Sequence, residues 1–533
     1  MTHRIPKNGS IAIVYLLAHF QGILPACQAA NITSSIERSI QRRVDFGYNP
    51  GIVIGIVDET GRDFYAYGQT RLGSNETPTD QTLYEIGSIS KVFTATLLAQ
   101  LVESGELAYS DTVDSLLPEN VTVPTRQQRS ITLEHLATHA SGLPNNPPSV
   151  IENRPDNPFS PYPPEKLHAF LNSYQLTRNP GTEYEYSNLG MGLLGYALSL
   201  KSETSYEVAL TDRLLKPLGL LDTILSPSSE QGLRRAQGYN GVVARPEFKM
   251  DTLAGAGEIL STVADMLTFL EYQLELRQTS LRPGLEATRE RRFATGTPGQ
   301  DMGLGWIITQ AGSDTLRFHD GATMGHNSFA GFSTQLKRGV VVFSNARINQ
   351  YSSVQDLGLK ALIPEYPLNP IRRPFSVSET EMASYVGRYE SSAGDAFHVE
   401  EVHQQLKVTY SEDLGIGFTI YPTGADRFQL YELGITASAH FLRNDTGDIS
   451  GMEWSQGEAT TSYTRITEPP TLAIVIGPNG IELVAQGTTG RSVTIEQSSD
   501  LQLWLPFATT SIDSSSIPLA HTDVGQRFFR IQQ

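Results

Sequence analysis

The hydrophobic pattern changes character once along the chain, at residues 364–374, which hold Pro364, Pro367, Pro370 and Pro374. Proline removes a backbone donor and fixes φ, so such a stretch ends regular structure and separates units. Before it, short strand-like runs alternate with long amphipathic segments. Residues 51–57 and 63–68 read as a two-stranded hairpin. After Ser88, the residues Val92, Phe93, Leu97, Leu98, Leu101 and Val102 recur at helical spacing on one side, and Gly105 is a stop signal. Further helices are predicted over 165–174, 188–201 and 263–276, and strands over 315–319, 327–335 and 339–344. Early strands, a helical middle and late strands predict an α+β domain over residues 31–370, with an antiparallel sheet and a helical subdomain.

Beyond the break the pattern is strand after strand. Residues 397–400, 405–410, 418–421 and 427–431 alternate, and Asn444-Asp445-Thr446-Gly447 marks a turn. Short strands joined by turns predict a small β-barrel over 375–467. Pro469-Pro470 marks a second boundary, and residues 471–533 read as a small β-sandwich module. No repeat of fixed period is evident.

Composition excludes several functions. Hydrophobic residues make up 39% of the 533, enough for a large core and too many for pervasive disorder. The formal net charge of −17 repels phosphate backbones and anionic membranes, so neither nucleic acid nor a polybasic membrane contact is expected. Cys27 is the only cysteine, which rules out an internal disulfide framework and any CxxC site.

The N-terminus has the layout of an export signal over residues 1–29. Arg4 and Lys7 precede the apolar run 11–18, and Ala26, Ala29 and Ala30 follow. A periplasmic or extracellular location is therefore expected. Leu24-Pro25-Ala26-Cys27 resembles a bacterial lipobox, which would place a lipid anchor on Cys27; the alternative is that Cys27 leaves with the signal peptide.

Three short patterns carry chemistry. In Tyr84-Glu85-Ile86-Gly87-Ser88-Ile89-Ser90-Lys91, Ser88 starts a helix and Lys91 lies three residues on, so an amine can sit beside the hydroxyl. A serine hydroxyl needs such a base and a positive environment to act as a nucleophile. Alone, the pair reads more readily as a helix cap with a solvated lysine. Tyr186 and Asn188 add a phenol, which acts as a base if positive neighbours lower its pKa, and an amide that can orient Lys91; the plain reading is a buried tyrosine and a capping asparagine. His319-Asp320-Gly321-Ala322 ends a strand, and Gly321 lets that strand approach another group closely.

Together and in this order, the patterns resemble the serine hydrolase family of class C β-lactamases and D-alanyl-D-alanine carboxypeptidases and endopeptidases. The resemblance covers about residues 45–360. It also includes residues 131–144 (ITLEHLATHASGLP), 184–190, Ala254-Gly255-Ala256-Gly257 and Ser261-Thr262. It implies a β-lactamase/transpeptidase-like fold and an exported serine hydrolase acting through an acyl-enzyme on an amide or ester, with a D-Ala-containing cell-wall peptide as the leading substrate. A β-lactamase or carboxylesterase is the alternative within enzymes, and a penicillin-binding sensor with little turnover the alternative outside them.

By the same resemblance Ser88 is the nucleophile, Lys91 and Tyr186 share acid and base work, and Asn188, His319, Gly321 and Ala322 contact substrate. The backbone N–H groups of Ser88 and Ala322 form the oxyanion hole. His319 stands where many relatives carry lysine; its charge near pH 6 would serve a substrate carboxylate only in part. His139 is expected to brace the backbone. His398 and His403 fall on opposite faces by strand alternation, and no metal or other cofactor is implied. Residues 375–467 resemble the lipocalin-like barrel often appended to these hydrolases. The substrate is a small molecule or peptide, and the oligomeric state is not legible.

Overall fold

The computed structural model describes residues 31–148, 157–410, 417–432 and 435–466, and the backbone of six strands between 471 and 531. The proposed signal, Cys27 and the Pro469-Pro470 boundary lie outside the described residues. The chain divides into two compact units: one runs through Pro374 and includes Tyr431–Thr436, and the other comprises Phe375–Leu430 and the residues from Ala437 onward.

An eight-stranded antiparallel sheet forms the frame of the first unit. Its order is Gly61–Gly68, Gly51–Asp58, Arg338–Ser344, Asn327–Ser333, Asp314–Ala322, Ile307–Ala311, Gln300–Met302 and Phe293–Ala294. Both faces are covered, which explains the unbroken apolar run of Gly51–Asp58, buried at every position. Alternation sends Ile52, Ile54 and Ile56 to one face, against Ile36 and Ile40 of the Ser34–Asp45 helix and Leu357 and Leu362 of the Gln355–Leu362 helix. Val53 and Val57 face the other side, with the helices Ser90–Glu103, Asn188–Lys201 and Val263–Gln273. Gly55 is required there, because a Cβ would lie 2.4 Å from Val263 Cγ1.

The predicted helices and strands of this unit are present, with one difference in character. The Ser90–Glu103 helix is buried around nearly its whole circumference, including Ser90, Lys91, Thr94 and Thr96. Its polar residues satisfy themselves inside: Thr96 Oγ1 donates to Val92 O at 2.7 Å and Thr94 Oγ1 to Gly255 O at 2.6 Å. The one-sided apolar stripe in the sequence is therefore part of a central helix, not a surface one.

In the second unit, eight strands from Gly387–Ser391 to Ala459–Ile466 close into a barrel, the last pairing with the first through Arg388 and Ile466. Phe397, Val399, Leu406, Val408, Phe428, Leu430, Ala437, Ala439 and Phe441 share its core with period two. His398 lies on the Ala396–Val402 strand, whereas His403 sits past its end in a left-handed turn with Gln404; alternation along one strand does not relate them. Of residues 471–531, the strands form two three-stranded sheets.

A buried ion pair ties the first helix to the Gln355–Leu362 helix and the loop before it. Arg43 Nη2 donates to both oxygens of Asp356 at 2.9 and 2.6 Å, and Arg43 Nη1 donates to the carbonyls of Tyr351 and Ser353. Both side chains are buried. Removing one partner of such a pair strands the other charge in the interior. Arg43→Ala should therefore destabilise this unit by about 3–5 kcal/mol in denaturant unfolding. The paired change Arg43→Met with Asp356→Leu should recover most of that, and a loss below about 1 kcal/mol for Arg43→Ala would show the pair to be dispensable.

Candidate active site

The Tyr84–Glu85 strand pairs with Leu260–Ser261, and Ile86 N–H continues the ladder to Ile259 O at 3.0 Å. The chain then turns at Gly87, whose φ of +52° suits glycine, into a 3₁₀ turn over Gly87–Ile89 and the buried Ser90–Glu103 helix. Ser90 Oγ accepts from Ile259 N–H at 3.1 Å, so the turn is fastened on both sides of Ser88. The Asp314–Ala322 strand lies directly against it. A Cβ on Gly87 would stand 2.7 Å from Ala322 N, and one on Gly321 would stand 2.0 Å from Ile86 O. Two glycines thus let the strand end and the Ser88 turn touch, and Ser328 Oγ donates to Ile86 O at 2.8 Å across the same seam.

Ser88, half-buried at the head of the helix, is the meeting point of two other side chains. Lys91 Nζ lies 2.9 Å from Ser88 Oγ, and Tyr186 OH donates to the same oxygen at 2.7 Å. Lys91 Nζ also donates to Asn188 Oδ1 at 2.8 Å and to Ala256 O at 2.6 Å. Asn188 is free for this because Ser187 caps its helix, accepting from Gly190 N–H at 2.8 Å. The Asn188 amide N–H₂ donates to Asn146 Oδ1 at 3.0 Å, which orients its oxygen toward Lys91.

Burial sets the charge states. Lys91 has no exposure, and desolvation takes its pKa well below the ordinary lysine value, with the Asp320 carboxylate acting in the other direction. Desolvation pushes the Tyr186 phenol above the ordinary tyrosine range, the Ser88 hydrogen bond offsetting part of this. So the phenol is a donor, not a resting base, and positive neighbours do not lower its pKa. Asn188 Oδ1 and Ala256 O can only accept, so each takes an N–H of Lys91, and in the neutral amine the position left toward Ser88 is the lone pair.

Two neutral imidazoles flank the phenol. The His139 ring centroid is 4.5 Å from that of Tyr186, and that of His319 is 6.2 Å away. His139 braces the backbone from both ends: its carbonyl accepts from Glu185 N–H at 2.9 Å and its Nδ1 from Ser187 N–H at 3.2 Å. A left-handed φ of 58° at His139 allows both contacts on the segment that carries Tyr186. Desolvation, with Lys91 adding to it, holds His319 down to about 3. Its Nδ1 donates to Asp320 O at 2.5 Å and the ring is buried. The expectation of a partly charged His319 near pH 6 therefore fails, because the ring is out of water.

Sequence reasoning assigned no role to Ala256, whose carbonyl is the third partner of Lys91. Its signal was present in the Ala-Gly-Ala-Gly run at 254–257, where small residues let backbone approach a side chain.

Known proteins resemble the chain over this unit. The family model described as Beta-lactamase matches residues 36–362. The D-alanyl-D-alanine-carboxypeptidase/endopeptidase AmpH of Escherichia coli (strain K12) is 27% identical over 329 residues, covering 59% of this chain and 84% of that protein. A β-lactamase of the same strain is 29% identical over 280 residues, covering 52% and 70%. Among solved structures, a β-lactamase/D-alanine carboxypeptidase from Yersinia pestis, complexed with citrate, superposes with a TM-score of 0.55 at 25% identity, covering 62% of this chain and 97% of that one.

The seam at Gly321 can be tested directly. Gly321→Ala drives a methyl into Ile86 O and should destabilise the unit by about 1–3 kcal/mol in denaturant melts, as overpacking does. Gly232→Ala, where a Cβ meets nothing within 4 Å, is the control and should be neutral or better. Equal melting of the two variants would show that the strand end has room to retreat.

Proposed function

The chain belongs to the β-lactamase family, and from that premise we propose that it is an exported serine hydrolase cleaving an amide or ester bond through an acyl-enzyme on Ser88. The observation that carries this reading is the convergence of Lys91 Nζ and Tyr186 OH on Ser88 Oγ, at 2.9 and 2.7 Å. The proposed substrate is a D-Ala-containing peptide, in keeping with the name of the AmpH relative. Export rests on the signal-like residues 1–29.

In the proposed reaction the neutral Lys91 amine takes the Ser88 proton as Oγ bonds to the substrate carbonyl carbon. The carbonyl oxygen becomes an oxyanion, held by the N–H groups of Ser88 and Ala322. As the tetrahedral intermediate collapses, the bond to the leaving nitrogen or oxygen breaks and Tyr186 gives that atom its proton. The Lys91 ammonium, 4.9 Å from the phenol ring, restores the proton of Tyr186. Water then repeats the sequence on the acyl-enzyme. Asn188 keeps Lys91 aimed and borders the substrate amide, and His319, Gly321 and Ala322 line the strand edge.

One observation favours a second reading, hydrolysis of neutral esters. His319 offers no charge to a substrate carboxylate, and the Asp320 carboxylate is its neighbour. A panel of D-Ala-D-Ala peptides, p-nitrophenyl esters and a chromogenic cephalosporin, compared by kcat/KM, separates the readings.

Two outcomes are expected. A penicillin probe should label Ser88, as read by intact mass and peptide mapping, and labelling that survives Ser88→Ala would sink the assignment. Lys91→Ala and Tyr186→Phe should each cut turnover by about 10²-fold or more, and the double variant by much less than the product, because both act on one proton transfer. The pH profile follows from the shifts. Lys91 works when deprotonated, and its lowered pKa extends that form well below the ordinary lysine value of about 10.4. Tyr186 works when protonated, and its raised pKa keeps it so past the ordinary value of about 10. Hence the acidic limb of kcat/KM should fall well below about pH 10.4 with no alkaline limb before about pH 10, and the ratio between carboxylate-bearing and neutral substrates should not change between pH 6 and pH 8. An alkaline limb near pH 8 would contradict the assigned charge states.

A further inference from the structure

We propose that Glu85 is a positioning residue that fixes the span of the oxyanion site, by joining the segment before Ser88 to Thr323, the residue after Ala322. This rests on the acyl-transfer reading above. The two backbone donors of that site come from different parts of the chain. Ser88 N belongs to the 3₁₀ turn, and Ala322 N to the end of the Asp314–Ala322 strand. Only the van der Waals contact at Gly87 and Gly321, and whatever fastens the two segments beyond it, set the distance between them.

Beside the Ser328 Oγ–Ile86 O hydrogen bond, Glu85 supplies that fastening. It lies three residues before Ser88 and is buried, at 4% exposure. On one side, Oε1 accepts from Arg235 Nη2 at 2.6 Å and from Phe248 N–H at 3.1 Å. On the other, Oε2 accepts from Thr323 Oγ1 at 2.5 Å and lies 3.0 Å from His326 Nδ1. The Thr323 hydroxyl has no freedom to turn elsewhere. Its oxygen already accepts from Gly325 N–H at 3.3 Å and His326 N–H at 3.0 Å, so its single proton goes to Glu85. Thr323 N–H donates to His326 O at 2.9 Å and completes the turn. The carboxylate thus grips a closed turn whose first residue adjoins the second oxyanion donor.

Geometry of this kind matters for rate more than for stability. Buried ion pairs are weak stabilising devices, since desolvation offsets most of their attraction. An oxyanion site, in contrast, acts only when both donors stand at about 2.7–3.1 Å from the developing charge. Burial would raise the Glu85 carboxyl, but the His326 ring first, then Arg235 and the Thr323 hydroxyl, hold it down to about 2, so the group that grips Thr323 is a carboxylate. Arg235 is itself paired with Glu247 at 2.6 Å, which leaves the network anchored when Thr323 is altered.

The test uses the full chain with Thr323→Val, Thr323→Ser and Glu85→Gln, each assayed for kcat, KM and the Ki of an aryl boronic acid, whose tetrahedral adduct puts an oxygen in the oxyanion site. Thr323→Val keeps the shape and removes the hydroxyl. It should lower kcat by about 10²-fold with KM changed by less than about three-fold, and weaken the boronate in parallel. Thr323→Ser should restore both to within about five-fold of wild type, which a purely structural role for the side-chain volume would not do. Glu85→Gln should shift kcat and Ki in the same direction, and it decides the matter if Thr323→Val does not fold. Variants that fold and keep wild-type kcat and Ki, in an enzyme whose Ser88 is labelled by penicillin, would overturn this inference alone. A wild type that neither binds the boronate nor labels at Ser88 would overturn the acyl-transfer reading and this inference with it.

Discussion

Everything at the site depends on one lysine kept out of water. Lys91 sits on a helix buried around its circumference, and its amine meets two carbonyl-type oxygens and one hydroxyl. In water this group would be an ammonium and useless as a base near neutrality. Inside, the cost of desolvating the ion favours the amine. The surrounding architecture follows from that need. The helix shares one core with Val53, Val341 and Phe343 of the sheet and with the Asn188–Lys201 and Val263–Gln273 helices, which supply its cover. The large α+β domain is thus what allows a first-turn lysine to be dry.

The second requirement is a short seam between distant pieces of chain. Ser88, Tyr186 and Ala322 come from a turn, a loop and a strand end far apart in the chain, Tyr186 lying 98 residues after Ser88 and Ala322 further still. Each piece is held by contacts other than those to the Ser88 hydroxyl. Glycines at 87 and 321 permit contact, His139 grips the segment 185–187 through a carbonyl and a ring nitrogen, and Ser187 caps its helix so that Asn188 is free. Residues that read as packing or capping in isolation are here the supports of the reacting groups.

The frame of the fold was legible because its signals are local. The residue 51–68 hairpin, the stop at Gly105 and the proline-rich break all act within a few residues of themselves. Ser88, Lys91, Tyr186 and Asn188 were legible because their order along the chain matches a known family, and the structure brings those four side chains together. What stayed hidden depends on burial and on long-range contact. Nothing in residues 88–103 says that Val92, Thr94 and Thr96 are all covered. Nothing in His319 says that its ring is dry and hence neutral. The Ala256 carbonyl is marked only by the small-residue run around it and the Thr323 hydroxyl by nothing, since a backbone oxygen or a loop threonine gains a role only from what the fold lays against it.

The charge states make a consistent whole. Before attack, burial favours the uncharged form of Lys91, Tyr186, His139 and His319 alike, and the Asp320 carboxylate is the charge felt by Lys91. The site therefore stores no positive charge for a passing anion to occupy. In the proposed reaction, positive charge arises on Lys91 only as it takes the Ser88 proton, in the same step that places negative charge on the substrate oxygen. The two charges form together, a few ångströms apart, in a medium where their attraction is far stronger than in water. Asp320 favours the ammonium at that moment and opposes any anion that would bind beforehand. A permanent cation at position 319 would blur this distinction, because it would stabilise a bound carboxylate in the ground state as well as the oxyanion in the transition state. A neutral imidazole leaves the electrostatic gain to the step in which bonds change.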